Sequence, residues 1–375
     1  MRPFQCSQCQ NTVFFENSTC ERCGATLGFV PAAQQMLAFL PPDAAPIDTT
    51  IDATTDAALW TPCGSDAGPP LRPCANRVQH AICNWMIDHG DTHPLCRSCR
   101  LTRVIPVLEN NPNNDPNSAS NSDRNRARWQ AIEQAKRRLV FTLLGIGLAP
   151  WPKTSADDWQ GLDFLLLQDQ PGEPPVRTGH EHGTVTLNIA EADDDRRETL
   201  RVLMGEPTRT LLGHLRHEAA HYLHYRWIAG TAAETDCRAS FGDERADYAT
   251  ALAQHYANGA PSHWPQQFIS AYASAHPWED WAETCAHYLL VLDAVQTASA
   301  WGLSLDGPAT AAPALLNPAQ PPPVHDLVIR QWLPVAQFLN AMHRSLGQRD
   351  SYPYLLPATV LDKMGTVQRL LGQVA

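Results

Sequence analysis

No apolar run in this sequence approaches the roughly 20 residues of a membrane-spanning helix. The most apolar stretch, RRLVFTLLGIGLAPW at 137–151, is interrupted by glycines and reads as the end of a core helix. Basic residues are also scarce. Lys and Arg number 28 against 39 Asp and Glu, a formal charge of −11, which excludes an electrostatic footprint for nucleic acid over the chain as a whole. One local exception runs from Arg72 to Arg103, where Arg72, Arg77, Arg97, Arg100 and Arg103 are set against Asp88 and Asp91. The opening MRPFQCSQCQ has no apolar leader, so the expected setting is a reducing cytoplasm. Cysteines there serve as metal ligands or plain thiols, not as disulfides.

What the chain has in quantity is cysteine, histidine and proline: 11, 15 and 31 in 375 residues. Four of the cysteines form a C-x2-C, ten-residue gap, C-x2-C array: Cys6, Cys9, Cys20 and Cys23. Each C-x2-C makes a tight turn that presents two thiolates, and two such knuckles close a tetrahedron around a structural Zn2+. About thirty residues cannot bury enough surface to fold alone, so the metal supplies folding energy. The intervening QNTVFFENST alternates as a short hairpin would. A second group, Cys74, Cys83, Cys96 and Cys99, closes with another knuckle, CRSC, and is expected to hold a second structural zinc. His80, His89 or His93 could replace one of these cysteines. Cys63, Cys237 and Cys285 are left as plain thiols.

The histidines concentrate in LLGHLRHEAAHYLHYRW, 211–227. His217 and His221 are four apart and share one helical face, so both can grip one ion. Glu218 lies about 100° round the helix, which in an H-E-x-x-H site sets its carboxylate against the water to be activated, not on the metal. His224 sits about 10.5 Å along the axis from His217 and cannot join the same tetrahedron from a straight helix. The longer H-E-x-x-H-x-x-G-x-x-H pattern is excluded, because its glycine position is His224 and its third histidine position is Trp227. His214 and His224 read as packing or supporting residues.

The segments between these motifs suggest an α+β fold in four parts. Residues 1–30 are a zinc ribbon and 60–108 a second cysteine-rich zinc-binding segment. Residues 109–126 are an Asn/Pro/Ser-rich flexible insertion, and 127–375 a mostly helical domain with a small sheet. LDFLLL and Thr184–Ile189 read as strands, the second by its alternation. A strand just before an active-site helix often offers its edge to an extended peptide. His180 and His182 could bind metal but fit a polar turn entering that strand. DERADYATALAQHYANG, PQQFISAYASA, PWEDWAETCAHYLLVLDAVQTA, LVIRQWLPVAQFLNAMHRSLGQ and PATVLDKMGTVQRLLGQV read as helices. Pro277 and Gly259 act as boundary signals, and 312–323 is a Pro-rich connector.

A catalytic zinc takes three protein ligands and keeps one open position. The strongest candidate segment for the third is HPWEDWAETCAHY, where Glu279 and Glu283 share a helical face; the competitor is FGDERADY, with Asp243, Glu244 and Asp247. The motifs CSQC…CERCGATLGF, CNWM…PLCRSCR, TGHEHGTVTLNIAEAD, GEPTRTLLGHLRHEAAHY, FGDERADYATALAQHYANG and SAYASAHPWEDWAETCAHYL together resemble a bacterial family of zinc-binding metallopeptidases with an N-terminal zinc ribbon. The resemblance implies a zincin-like peptidase domain of the glutamate type. It makes Glu279 the third ligand and Glu283 its supporter, holding a ligand histidine in place. A narrower likeness to lethal-factor-type zincins puts a tyrosine seven residues before the ligand glutamate. Here that is Tyr272, whose phenol would donate to the oxyanion.

The expected function is therefore peptide hydrolysis with one catalytic and two structural Zn2+. Glu218 serves as general base, and a peptide or protein substrate lies extended along strand 184–189. Two alternatives stand beside it. One is a zinc-ribbon adaptor for protein or nucleic acid with a degenerate protease domain. The other is a zinc amidohydrolase acting on a non-peptide amide.

Overall fold

The computed structural model describes residues 2–40, 59–64, 68–108, 118–204, 206, 208–307 and 317–373, without the side chains of 118–120. Most of the Asn-rich stretch (109–117) and the start of the Pro-rich connector lie outside the described residues.

The first hairpin pairs β1 (Phe4–Gln5) with β2 (Thr12–Val13) across the Cys6–Cys9 knuckle. The expected hairpin within QNTVFFENST is only a turn at Phe14–Asn17. Strands β3 (Thr26–Val30), β4 (Gln35–Leu40) and β5 (Thr61–Pro62) form an antiparallel sheet. After β6 (Arg72–Pro73), helix α1 (Ala75–His80) and β7 (Met86–Ile87) come the second knuckle and β8 (Thr102–Val104). The two cysteine-bearing segments, expected as separate modules, share one core. Phe29 packs edge-on against Phe15 and tilted against Trp85, with ring centroids 5.0 and 4.7 Å apart. Asn84 Nδ2 donates to the Phe15 carbonyl at 2.6 Å. Neither segment buries enough apolar surface by itself, and Phe15 and Phe29 both reach Phe141 of the next helix.

That helix, α2, runs from Ser118 to Gly145. It begins inside the stretch expected to be flexible, and its first turns are tied down by Ser122 Oγ donating to the Leu108 carbonyl at 2.7 Å and Asn125 Nδ2 to the Val107 carbonyl at 3.0 Å. Strands β9 (Asp163–Leu167), β10 (Gly179–Glu181) and β11 (Thr184–Asn188) complete a second sheet in the order β10-β11-β9-β8. The β10–β11 turn is a two-residue one, with positive φ at both His182 (47°) and Gly183 (80°). This is the combination a tight twisted hairpin requires. A Cβ on Gly183 would stand 2.2 Å from the Gly161 carbonyl oxygen, so only glycine fits. β11 is antiparallel to β10 on one side and parallel to β9 on the other. Both of its edges are therefore taken, and the expectation that a substrate pairs with strand 184–189 is corrected. Among the described residues, the free edge on that side belongs to β10.

The helical part holds α3 (Asp194–Leu203), α4 (Leu211–Trp227), α5 (Ala233–Phe241), α6 (Tyr248–Asn258), α7 (Pro277–Ala300), α8 (Leu333–Ser345) and α9 (Ala358–Gly372). A π-helical turn, Asp326–Trp332, precedes α8. PQQFISAYASA is not a helix; it contains 3₁₀ turns at Trp264–Gln266 and Tyr272–Ala275. Ser270 Oγ captures the Ala273 N–H at 3.0 Å, a side-chain competition that disfavours regular helix. Helices α4 and α7 pack face to face. Ala219 and Ala220 are fully buried, and the Trp281 indole donates to the Ala220 carbonyl at 2.8 Å. Among the described residues no helix is long and apolar enough to cross a membrane.

Candidate metal centre

Helix α4 is buried along most of its length. Thr210 caps it by accepting from the Gly213 N–H at 2.9 Å. Helix α7 begins at Pro277, with His276 accepting from the Trp278 N–H. Their crossing brings Glu279 Oε2 to 3.1 Å from His217 Nε2 and 3.7 Å from His221 Nε2. One donor atom from each of the three lies within 4.8 Å of the others. Glu279 is 1% exposed, and its Oε2 has no hydrogen-bond partner. A buried carboxylate oxygen left open is costly, and the spacing matches the edges of a zinc tetrahedron, roughly 3.3 Å for N and O ligands at about 2.0 Å. The donor set fits a metal ion. Burial opposes the Glu279 charge, but His217 and His221 hold its carboxyl well below the usual range.

Around these three groups the neighbours are ordered. Glu283 Oε1 meets His217 Nδ1 at 2.7 Å, and Glu283 Oε2 accepts from Ser270 Oγ at 2.7 Å. The His221 ring lies between Trp278 (4.6 Å, 17°) and His180 (5.9 Å, 24°). Glu218, 4% exposed, keeps Oε1 3.2 Å from His214 Nε2, while its Oε2 is buried without a partner. His214 is not mere packing, since its Nδ1 is 2.6 Å from Glu191 Oε2. His224 is a packing residue, with ring contacts to Trp278 and Trp281.

Tyr272 lies beside the site, its ring 6.1 Å from that of His217. The Tyr248 hydroxyl, also beside the site, donates to Glu279 Oε1 at 2.7 Å. Burial, then the Glu279 charge, pushes both phenols up. Tyr248 is the site residue that the sequence reading missed; only the placement of α6 next to α7 reveals it. Glu244, the rival ligand, is held by Arg238 at 2.5–3.2 Å instead, and Asp243 pairs with Arg245. His180 lies on β10, its Nε2 accepting from the Gly183 N–H at 3.0 Å. Burial pushes its imidazole down to about 3, so it is neutral.

The cysteines gather into two groups of four, Cys6/Cys9/Cys20/Cys23 and Cys74/Cys83/Cys96/Cys99. Sulfur pairs stand 3.8 Å apart for Cys6–Cys23, 3.7 Å for Cys9–Cys20 and 3.8 Å for Cys83–Cys96. Those are too long for disulfides and equal the roughly 3.8 Å edge of a tetrahedron of thiolates at about 2.3 Å from zinc. None of His80, His89 and His93 joins the second group. Beneath that group α2 supplies Glu133, whose Oε2 is 3.8 Å from Cys99 Sγ, and the buried Arg137, whose Nη1 donates to the Ile82 carbonyl. Burial pushes the Cys74 and Cys96 thiols up. Burial does the same to Cys237 and Cys285, which stand apart as inert thiols.

A family model described as "Putative zinc-binding metallo-peptidase" matches residues 125–370, more than half of the chain. The chain belongs to this family. A zinc-ribbon domain model matches residues 3–110, and the cysteine groups are those of zinc ribbons. Uncharacterized proteins of Mycobacterium bovis and of two strains of Mycobacterium tuberculosis are 39% identical over 376 residues, covering 100% of this chain and 96% of their own. No solved structure matches. His217, Glu218, His221, Tyr248, Tyr272, Glu279 and Glu283 all fall within the metallopeptidase match, and all eight clustered cysteines within the ribbon match.

Proposed function

We propose that this metallopeptidase-family chain hydrolyses peptide bonds, with zinc held by His217, His221 and Glu279. The observation that carries the reading is the open Oε2 of Glu279 facing Nε2 of both histidines, with the open Oε2 of Glu218 on the same helix. The two cysteine groups would hold structural zinc, making three ions per chain. When bound, the catalytic ion supplies Lewis-acid chemistry, acidifying the attacking water and polarising the scissile carbonyl. Glu218 takes the water's proton at Oε2 and delivers it to the leaving amine nitrogen. Glu283 fixes the tautomer of His217 by accepting from Nδ1–H. Tyr248 occupies Glu279 Oε1 and so leaves Oε2 as the ligand oxygen. Tyr272 is the phenol assigned to the oxyanion. The substrate backbone adds to the free edge of β10, and that edge favours a peptide over a small non-peptide amide.

The test is a proteome-wide cleavage profile comparing wild type with Glu218→Gln. The amide keeps the shape of the carboxylate but cannot take a proton at neutral pH. The variant should retain its metal and lose wild-type cleavages by at least about 100-fold. Indistinguishable profiles at equal zinc content would sink the reading.

A further inference from the structure

His214 connects the candidate base to the sheet. Its Nδ1 is 2.6 Å from Glu191 Oε2, and its Nε2 is 3.2 Å from Glu218 Oε1. Both ring nitrogens therefore face carboxylate oxygens. Two carboxylates can be bridged by one imidazole only if both nitrogens carry protons. Glu191 is 6% exposed and sits in the 3₁₀ turn Ile189–Ala192 that directly follows β11. It is anchored independently of His214. Thr178 Oγ1 donates to its Oε1, and Arg209 Nη2 lies 3.6 Å from its Oε2. Thr178 is itself tied down, accepting from the Asn188 N–H at 3.1 Å. The chain of contacts thus runs from the rigid sheet through Glu191 and His214 to Glu218.

A carboxylate near a metal ion has two equivalent oxygens and a low barrier to turning. Here one oxygen is engaged and the other, Oε2, is buried and open. We propose that His214, clamped by Glu191, is a positioning residue for the general base: it donates Nε2–H to Glu218 Oε1 and so presents Oε2 as the single proton acceptor. The proposal rests on Glu218 acting as base. Nothing in helix formation asks for histidine at 214; leucine would serve α4 as well. His214 and Glu218 are four residues apart, the spacing at which helical side chains meet.

The experiment uses the zinc-loaded full chain, with His214→Leu, His214→Gln and Glu191→Gln beside wild type, and a mixture of internally quenched peptides as probe. His214→Leu should lose kcat by about 100-fold, within the range of a general-base contribution, with KM and zinc content unchanged. His214→Gln should recover part of that loss, because its amide N–H can donate to Glu218. Glu191→Gln should fall between wild type and His214→Leu. A wild-type kcat in His214→Leu, or no recovery in His214→Gln, overturns the proposal. Should His214→Leu fail to fold, Glu191→Gln carries the kinetic test, and an unchanged kcat there overturns it. Proton NMR provides a readout that needs no substrate. Wild type should show two slowly exchanging low-field imidazole N–H resonances that disappear in His214→Gln, and Glu191→Gln should lose one of them. If wild type cleaves no peptide, the peptidase reading falls, and these resonances still judge the clamp: two uphold it, one or none overturns it.

Discussion

Glu283 Oε1 lies 2.7 Å from Nδ1 of His217, from a helix that also supplies Glu279 at 3.1 Å from Nε2 of the same ring. One imidazole is thus gripped at both nitrogens by carboxylates one helical turn apart. In the proposed site Glu283 accepts from Nδ1–H, which would leave the lone pair on Nε2 for the ion shared with Glu279.

That relationship separates the acidic residues by role. Glu279→Ala should abolish catalytic zinc binding, since two neutral histidines hold zinc weakly without the carboxylate. Glu283→Ala should weaken affinity by about 10- to 100-fold. Glu244→Ala should keep all its metal, because Glu244 is spent on Arg238. Metal analysis after identical dialysis checks this. Zinc lost in Glu244→Ala and kept in Glu279→Ala would reverse the assignment.

Tyr248 and Tyr272 should divide in the same way. Tyr248→Phe removes the donor to Glu279 Oε1 and should lower zinc affinity by roughly 10-fold, the low end for a group that holds a ligand in place. Tyr272→Phe should leave affinity alone and lower kcat. Chelator competition and steady-state kinetics distinguish the two, and equal zinc affinities in all three proteins would remove Tyr248 from the site.

The cysteine groups should differ in consequence. Cys6→Ser with Cys9→Ser should remove one zinc of the three expected from the three clusters and loosen the first knuckle. Cys83→Ser with Cys96→Ser should remove another and lower the melting temperature of the whole chain more. All four cysteines of the second group are buried, and Arg137 of α2 donates to the Ile82 carbonyl beside Cys83, whereas the first group includes the half-buried Cys9 and the exposed Cys23. Zinc content and tryptophan emission during thermal unfolding report both effects. A content of one zinc in fresh reduced wild type contradicts the cysteine assignments.

Stability should fall in alkali through His214. Burial alone would lower its pKa, but hydrogen bonds donated to Glu191 and Glu218 raise it from 6.5 to about 9. The folded state therefore binds the proton more tightly than the unfolded one. This contribution is complete below 6.5 and is lost as pH rises through 9. It amounts to on the order of 3 kcal/mol at most. Denaturant midpoints of protein stripped of the catalytic ion at about pH 6 and about pH 9.5 should differ more in wild type than in His214→Gln. The same pH dependence in both would exclude His214 as the source.

What short-range spacing encodes was legible in the sequence. His217, Glu218 and His221 lie within one helical repeat, and the paired knuckles place two thiols each by local turn geometry, so chain spacing alone defined these groups. The Glu279/Glu283 pair was also visible as a helical face. Its choice over Glu244 drew on family likeness in the sequence, and in the structure it rests on the α4–α7 crossing. Tertiary structure alone decided the rest. Tyr248 reaches Glu279 only because the start of α6 is brought to the start of α7. Glu191 reaches His214 only because the turn after β11, packed on α2, carries its side chain to α4. Thr184–Asn188 alternates as a strand should, yet whether a strand is an edge depends on what pairs with it, and here β9 and β10 occupy both sides. The two cysteine segments likewise merge because neither can bury its aromatic residues alone. Local pattern specifies which side chains share a face; which faces meet is set by long-range packing, and the ligand set, its supporting hydrogen bonds and the free strand edge are all properties of those meetings.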